Sequence, residues 1–278
     1  MSRLAVRLRR AGISSFFVLA PCLTLVSCLG ILAAKAQTPP QVEKKAGDPP
    51  TVKDLTKGPR FPSTRSATEP AARSELGFWM DRHKVLLDRV KPGRAGLLFV
   101  GDSITQGWEG PGRDVWRRFY TPRDAVNLGI GGDRTQHVLW RLDNGELDGV
   151  KPKAVVVLIG TNNLSTNAPE EIAEGIKLII KKLREKLPGT PVLLMGIFPR
   201  SLRPEDPFRE KLRAVNAIVA KLADGKNVRY LDIGSKFLEP DGTIARSTMP
   251  DGLHLTAKGY RIWADAIEPT LWEMTEGK

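Results

Sequence analysis

The chain has 278 residues, of which 41% are hydrophobic and 27% charged, enough for a domain of about 200 residues with a substantial core. Its formal net charge is +12, but five basic and no acidic residues lie in residues 1–36, so the rest carries 38 basic and 31 acidic residues and a net charge of +7. Those basic residues alternate with acidic ones and form no dense stripe, which argues against a nucleic-acid partner.

Residues 1–36 have the pattern of an export signal. Basic residues at the start precede an apolar run from Ile13 to Ala34. Three fates stay open: cleavage after Ala36, lipidation at Cys28 within a lipobox-like LVSC motif, or retention as an uncleaved anchor, because the run is long enough to span a bilayer. All three fates predict an exported protein that is periplasmic, secreted or lipid-anchored at the cell envelope. Lipidation or an uncleaved anchor would also tether the protein to the membrane through its N-terminus.

Both cysteines, Cys22 and Cys28, lie within this segment. The mature domain therefore has no disulfide, no cysteine-based metal site and no cysteine nucleophile. The whole chain has only three histidines, so a zinc site is not expected, and we predict neither a metal nor a cofactor.

Residues 37–70 contain seven prolines and almost no apolar periodicity, which predicts a flexible tether. Residues 71–278 have a regular pattern that predicts one domain, beginning with a helix over Ala71–Val90. The strands predicted after it are Gly96–Val100, Ala125–Leu128, Ala154–Ile159, Val192–Ile197 and Val228–Leu231. The helices predicted between and after them are Arg113–Phe119, Thr135–Leu142, Pro169–Leu187, Phe208–Ala223 and one that follows His254. Apolar strands alternating with helices indicate an α/β fold with a parallel sheet covered on both faces.

Short polar motifs follow the first three predicted strands. Ser103 ends a Gly-Asp-Ser tripeptide after the first, Gly132 lies in a glycine loop after the second, and Asn162 follows the third. Because the carboxyl ends of parallel strands meet at one edge of the sheet, where ligands bind, we expect these three residues to lie close together.

Each motif has both a chemical and a structural interpretation. Ser103 is expected to open a helix whose free N–H groups can stabilise an oxyanion, although the same pattern fits a simple cap. The loop around Gly132 either points an N–H into the site or is only a tight turn. Both interpretations hold if Gly131 makes the turn and Gly132 donates its N–H to a ligand. Arg134 stands where a dinucleotide fingerprint needs a glycine, which disfavours a nucleotide site.

Amide and imidazole side chains complete the set. Asn162 carries donors suited to an oxyanion hole, although it also fits a turn, which is the interpretation favoured for Asn163. Asp251 and His254 are three residues apart, a spacing that lets the carboxylate orient the imidazole toward a serine. Neither His83 nor His137 has an aspartate three residues before it, and both are interpreted as structural.

Together these motifs resemble the SGNH (GDSL-type) hydrolase superfamily, and most closely the esterases related to the catalytic subunits of platelet-activating factor acetylhydrolase. The matching stretches span most of residues 96–270 and are 98–103, 127–147, 151–163, 196–200 and 251–259. The resemblance implies a flavodoxin-like three-layer α/β/α sandwich with a five-stranded parallel sheet, with residues 71–278 as the catalytic domain. One departure is Ile104, which stands where the family has leucine.

Carried over by position, the resemblance implies Ser103 as nucleophile, His254 as general base and acid, and Asp251 as the residue that orients the histidine. The oxyanion hole would comprise the N–H groups of Ser103 and Gly132 and the side chain of Asn162. Residues next to these positions would close a small acyl pocket, namely Ile104, Thr161 and Leu253.

The predicted function is an exported serine esterase that removes short acyl groups, chiefly acetyl, from carbohydrates. Trp108 is a candidate platform for stacking a sugar, although a core position is the more frequent role of such a tryptophan. Acetyl esters of lipids that resemble platelet-activating factor are the alternative substrate. A non-catalytic carbohydrate-binding surface module is the alternative from another class. The oligomeric state stays open, a homodimer included.

Overall fold

A computed structural model describes residues 66–277 of the chain. The predicted export signal, with Ala36 and Cys28, lies outside the described residues, as does the tether up to residue 65. In the described part of the chain, no helix has the length and apolar character needed to cross a membrane.

The described residues form a five-stranded parallel sheet in the order β2-β1-β3-β4-β5. Its strands are β1 Leu97–Gly101, β2 Ala125–Gly129, β3 Ala154–Leu158, β4 Val192–Met195 and β5 Val228–Leu231. Gly101 at the end of β1 is in register with Gly129 and Leu158 at the ends of its two neighbours. The loops that follow β1, β2 and β3 therefore leave the sheet side by side, and the predicted α/β fold is confirmed.

Helices cover both faces of this sheet. The helices in chain order are α1 Gly77–Val90, α2 Ser103–Gln106, α3 Arg113–Phe119, α4 Thr135–Asp143, α5 Pro169–Lys186, α6 Pro207–Val219 and α7 Ala257–Thr275. Along β1, Leu98 and Val100 pack in a core with α1, α4, α5 and α6, whereas Leu97 and Phe99 pack in a second core with α2 and α7. Because successive side chains of a strand point to opposite faces, an entirely apolar strand serves both cores.

The predicted helix over Ala71–Val90 is wrong at its start, because α1 begins at Gly77. The preceding residues run across the glycine loop instead: the Ala71 N–H donates to Gln136 and the Arg73 side chain donates to Gly131. The packed part of the domain also begins before residue 71. Ala67 is fully buried, and its carbonyl accepts from the Thr135 hydroxyl at 2.7 Å.

The fourth strand is shorter than predicted. β4 ends at Met195, whereas the sequence predicts a strand through Ile197. The N–H and carbonyl of Ile197 are bonded by the Asn216 side chain at 2.8 and 3.0 Å, so its backbone is satisfied by α6 instead of a neighbouring strand.

Candidate active site

A tight turn at the end of β1 places Ser103 at the edge of the sheet. A Cβ on Gly101 would lie 2.1 Å from the Thr105 hydroxyl oxygen and 2.4 Å from the Leu158 carbonyl oxygen, so only glycine fits there. The Asp102 side chain then caps α2 by accepting from the Ile104 N–H at 2.9 Å. Ser103 is the first residue of that helix, as the sequence predicts.

Ser103, His254 and Asp251 form a continuous hydrogen-bonded chain although 147 residues separate the first from the third. Ser103 Oγ lies 3.0 Å from His254 Nε2, and His254 Nδ1 lies 2.6 Å from Asp251 Oδ2. Because the carboxylate can only accept, the imidazole carries its proton on Nδ1, which leaves Nε2 free to accept from the serine hydroxyl. The geometry therefore has the directionality of a serine nucleophile with its base.

The loop before α7 holds Asp251 in place. Its second oxygen, Oδ1, accepts from the N–H groups of Leu253 at 2.9 Å and His254 at 2.8 Å. Partial burial acts to raise the pKa of Asp251, but the hydrogen bonds from the His254 ring and these two amides outweigh it and lower the pKa to about 2. Asp251 is therefore ionised at neutral pH and accepts a hydrogen bond from the His254 ring.

The glycine loop after β2 lies beside Ser103. A Cβ on Gly131 would be 3.9 Å from the Ser103 Cβ, and the Gly131 N–H donates to Gln106 Oε1 at 2.7 Å. The prediction that Gly131 makes the turn is wrong: Gly132 has the positive φ, +76°. Gly131 is fixed through both its N–H and its carbonyl, so the chain reverses one residue later.

Two backbone N–H groups near Ser103 Oγ are candidate donors to a ligand. Within residues 66–277, the N–H groups of Ser103 and Gly132 have no hydrogen-bond partner. Both are exposed enough to meet a ligand, since Ser103 is half-buried and Gly132 exposed. This pair of N–H groups matches the backbone half of the predicted oxyanion hole.

Asn162 lies in the short 3₁₀ turn Thr161–Asn163 that follows β3. Its Nδ2 donates to the Asp133 carbonyl at 2.8 Å and is 3.4 Å from Asp102 Oδ2. The first bond fixes the amide beside the glycine loop, whereas the second is long for a hydrogen bond. Asn163 is structural, since its buried side chain accepts from the Thr135 N–H at 3.0 Å.

Buried charges beneath the site were not anticipated from the sequence. Arg141 is fully buried on α4 and donates to Asp133 Oδ2 at 2.8 Å, to Glu146 Oε2, and to the Gly101 carbonyl at 3.3 Å. Trp79 Nε1 donates to the other oxygen of Asp133 at 2.6 Å. The signal available in the sequence was one arginine inside the otherwise apolar run VLWRL.

Asp102 and Asp133 are carboxyl groups without contact to bulk water. Burial raises the pKa of Asp102 to about 7, against the opposing hydrogen bond from the Ile104 N–H. Burial likewise raises the pKa of Asp133 to about 6, although the charge of Arg141 opposes it. Both therefore titrate within two pH units of neutrality, unlike Asp251.

The residues of the predicted acyl pocket line the same neighbourhood. Ile104 is buried and Leu253 half-buried, and both pack in the core on the α7 side of the sheet. Thr161 is buried, and its hydroxyl has no hydrogen-bond partner within the described residues. Its carbonyl accepts from Arg200 at 3.1 Å, a contact that the sequence did not indicate.

Trp108 is not a sugar platform, because it is fully buried. Its indole packs against aromatic rings at centroid distances of 4.5 to 6.2 Å, those of Phe99, Trp116, Tyr120, Tyr260 and Trp263. His83 and His137 are structural as predicted: the first bonds to Glu146 at 3.1 Å, and the second accepts the Arg134 N–H at 3.0 Å.

Sequence comparison finds relatives over most of the described residues. The sequence profile of the GDSL-like lipase/acylhydrolase family matches residues 99–262. Human platelet-activating factor acetylhydrolase IB subunit alpha1 is 43% identical over 185 residues, which cover 66% of this chain and 78% of that protein. The rat alpha2 subunit is 42% identical over 199 residues, which cover 71% of this chain and 85% of that protein.

Solved structures share the fold at lower sequence identity. A GDSL-like lipase from Bacteroides thetaiotaomicron superposes with a TM-score of 0.57 at 20% identity, covering 70% of this chain and 96% of that one. An acetylxylan esterase from Geobacillus stearothermophilus superposes with a TM-score of 0.51 at 19% identity, covering 66% and 96%. These structures show the shared fold. The family profile and the 42–43% identical relatives show that the chain belongs to the GDSL-like lipase/acylhydrolase family and is a carboxylic ester hydrolase.

Proposed function

We propose that this hydrolase removes acetyl groups from esters through a catalytic triad of Ser103, His254 and Asp251. The observation that carries the proposal is the unbroken line of hydrogen bonds, 3.0 Å from serine to imidazole and 2.6 Å from imidazole to carboxylate. A serine hydroxyl is a weak nucleophile until a base accepts its proton, and this line supplies the base and its orienting group.

In the first step Ser103 Oγ attacks the ester carbonyl carbon while its proton moves to His254 Nε2. The resulting imidazolium is stabilised by the ionised carboxylate of Asp251. The tetrahedral intermediate then breaks its bond to the alcohol, and His254 returns the proton to the departing oxygen. An acetyl-enzyme and a free alcohol result.

In the second step water takes the place of the serine hydroxyl. Its proton moves to His254 Nε2 as its oxygen attacks the acetyl carbonyl, and the intermediate expels Ser103 Oγ. The proton on His254 returns to the serine, and acetic acid leaves and ionises to acetate in water. No cofactor enters this sequence of bond changes.

The negative oxygen of each intermediate needs donors that are already oriented. We assign this role to the N–H groups of Ser103 and Gly132, together with the Asn162 amide. Asn162 supports the assignment because Asp133 anchors its Nδ2 at 2.8 Å, while the contact to Asp102 at 3.4 Å is weak enough to yield to an oxyanion.

A small acyl group fits the residues adjoining the triad. Ile104 and Leu253 belong to a packed core, and Thr161 is buried, so little space is expected beyond an acetyl methyl group. A series of p-nitrophenyl esters tests this: kcat/KM should fall steadily from acetate to octanoate. A rise along the series would contradict the small pocket.

For the alcohol we propose an acetylated carbohydrate. The Asp251 and His254 side chains are 54% and 48% exposed, which supports an acetyl group presented by a large soluble chain over one enclosed in a deep cavity. Export through residues 1–36, to the periplasm, the exterior or a lipid anchor, belongs to the same proposal, because polysaccharides lie outside the cytoplasm. The second candidate is the acetyl ester of a phospholipid, favoured by the name of the 42–43% identical relatives.

Acetate release tests the proposal and separates the candidates. The full chain and its Ser103→Ala variant are compared on acetylated polysaccharides and on acetylated phospholipid vesicles. Release from the polysaccharides by the parent chain alone supports the proposal, and release confined to the vesicles favours the lipid. Equal release by both chains would contradict the serine mechanism, and polysaccharide binding without release would favour a non-catalytic module.

A further inference from the structure

Two arginines flank the glycine loop of the site. Arg73, in the segment before α1, donates from Nη1 to the Gly131 carbonyl at 3.0 Å. Its guanidinium also covers Gly132, since a Cβ there would lie 2.7 Å from Nη1 and 3.4 Å from Cζ. Arg134 follows two residues later as the residue that precedes α4. Both side chains are half-buried.

Neither guanidinium forms an ion pair within residues 66–277. The adjacent carboxylate of Asp133 is buried and occupied by Arg141 and Trp79. Burial, and then the positive charge of Arg73, lower the pKa of Arg134, so the two cations lie close enough to repel each other.

A second arginine pair in the same molecule shows the usual arrangement. Arg82 and Arg89 lie two turns apart on one face of α1 and share the carboxylate of Glu109, each with a contact of 2.6 Å. Glu109 thereby gives both guanidinium groups a counter-ion from within the fold. The pair beside Gly132 has the same charge and no such carboxylate among the described residues.

Half-buried cations without a counter-ion are costly, and a guanidinium fork matches a carboxylate or phosphate group. We propose that Arg73 and Arg134 bind an anionic group carried by the alcohol part of the ester. The inference rests on the proposed function, because an acetyl group has no charge and the anion must therefore belong to the alcohol. Acetylated uronate sugars and acetylated phosphate-bearing alcohols share this chemistry.

Three acetyl esters with one aromatic core test the charge alone. Methyl 4-acetoxybenzoate is neutral, 4-acetoxybenzoate carries a carboxylate, and 4-acetoxyphenyl phosphate carries a phosphate. The full chain is compared with the double variant Arg73→Gln/Arg134→Gln. The matched control is Arg94→Gln, an exposed arginine before β1, at the sheet edge opposite the site.

The measured quantity is kcat/KM for an anionic ester divided by kcat/KM for the neutral ester, in which effects common to both substrates cancel. The double variant should lower this ratio about tenfold or more, the loss of a charge-assisted hydrogen-bond pair. Arg94→Gln should leave the ratio unchanged. A larger loss with the carboxylate points to a uronate, and a larger loss with the phosphate points to a phosphorylated alcohol. A ratio altered less than twofold with both anions would overturn the inference.

Binding of inorganic phosphate provides a readout that needs no turnover. At a phosphate concentration ten times the Kd for the parent chain, phosphate should raise the Tm of the parent chain by about 3 °C. The same concentration should raise the Tm of the double variant by much less. If that difference holds while none of the esters is cleaved, the proposed function fails and the anion site stands. If neutral esters are cleaved through Ser103 while phosphate acts equally on both proteins, the anion site fails and the proposed function stands.

Discussion

Among the described residues, two of the histidine–carboxylate pairs look alike in composition and differ in surroundings. His83 lies 3.1 Å from Glu146, with side chains 4% and 0% exposed, whereas His254 lies 2.6 Å from Asp251, with side chains 48% and 54% exposed. The chemical groups are equivalent. The two imidazoles differ in the groups that surround the rest of the ring.

The His83 ring is enclosed by indoles. Trp79 stacks on it at 5.9 Å and Trp140 meets it edge-on at 5.2 Å, while Glu146 is shared with the buried guanidinium of Arg141. A substrate has no access to such a pair, so its contribution is to stability. The second nitrogen of His254 instead meets Ser103 at a half-exposed edge, where a proton can be exchanged with a ligand.

The most severe test of this contrast replaces each histidine in turn. His254→Ala should lower kcat by about 10⁴-fold or more, because the serine loses its base, and should leave Tm nearly unchanged. His83→Ala should keep kcat within about threefold and lower the free energy of unfolding by about 1–3 kcal/mol, because Glu146 loses a buried partner. Ester hydrolysis measures kcat, and urea unfolding measures the free energy of unfolding. A large loss of kcat in His83→Ala, with a loss of stability alone in His254→Ala, would contradict the roles assigned to the two histidines.

Replacing Arg141 tests how strongly the free energy of unfolding depends on its buried ion pairs with Asp133 and Glu146. Arg141→Gln leaves Asp133 and Glu146 without their common partner and should cost about 3–5 kcal/mol of unfolding free energy. The matched control is Arg261→Gln on α7, which breaks an exposed pair with Asp265 at 2.7 Å and should change stability little. Equal losses in urea unfolding would show that burial does not set the value of these pairs.

Asn162 lies between the candidate active site and the buried charges around Arg141, since its side-chain amide donates to the Asp133 carbonyl. Asn162→Ala should lower kcat about a hundredfold with little change in KM, as expected when a donor to the transition state is lost. Steady-state kinetics on an acetyl ester measure it. A loss below threefold would make Asn162 a structural residue of the buried region.

Asp102 gives the most pH-specific effect. Its folded-state pKa of about 7 exceeds its ordinary value of 3.8, so between these values the folded protein binds more protons than the unfolded chain. Stability from this group is therefore lost as pH rises from about 4 to 7. Relative to Asp102→Asn, the parent chain should lose unfolding free energy across that window. A pH-independent difference between the two proteins would contradict the assigned burial effect.

Most strands and helices could be predicted from the sequence because the patterns that indicate them are local. Each predicted strand overlaps the observed one, and α3 matches Arg113–Phe119 at both ends, since apolar runs and helix periodicity depend on neighbours in the chain. The meeting of Ser103, Gly132 and Asn162 followed from parallel topology. Asp251 and His254 were found because a three-residue spacing is itself local.

Long-range contacts account for what the sequence did not show. Arg73 bonds to Gly131, 58 residues away, and Trp79 bonds to Asp133, 54 residues away, and composition and periodicity encode neither contact. The same reason explains the late start of α1, whose leading residues are held by the glycine loop. Trp108 was ambiguous because an indole five residues after the candidate nucleophile fits either a core or a surface until its neighbours are known.

Covalent labelling with a fluorophosphonate probe measures whether His254 activates Ser103. We expect one adduct, on the peptide that contains Ser103, no adduct in Ser103→Ala, and labelling slowed by orders of magnitude in His254→Ala. His83→Ala should be labelled at the rate of the parent chain. Labelling of another residue, or unchanged labelling of Ser103 without His254, would rule out this pairing of nucleophile and base.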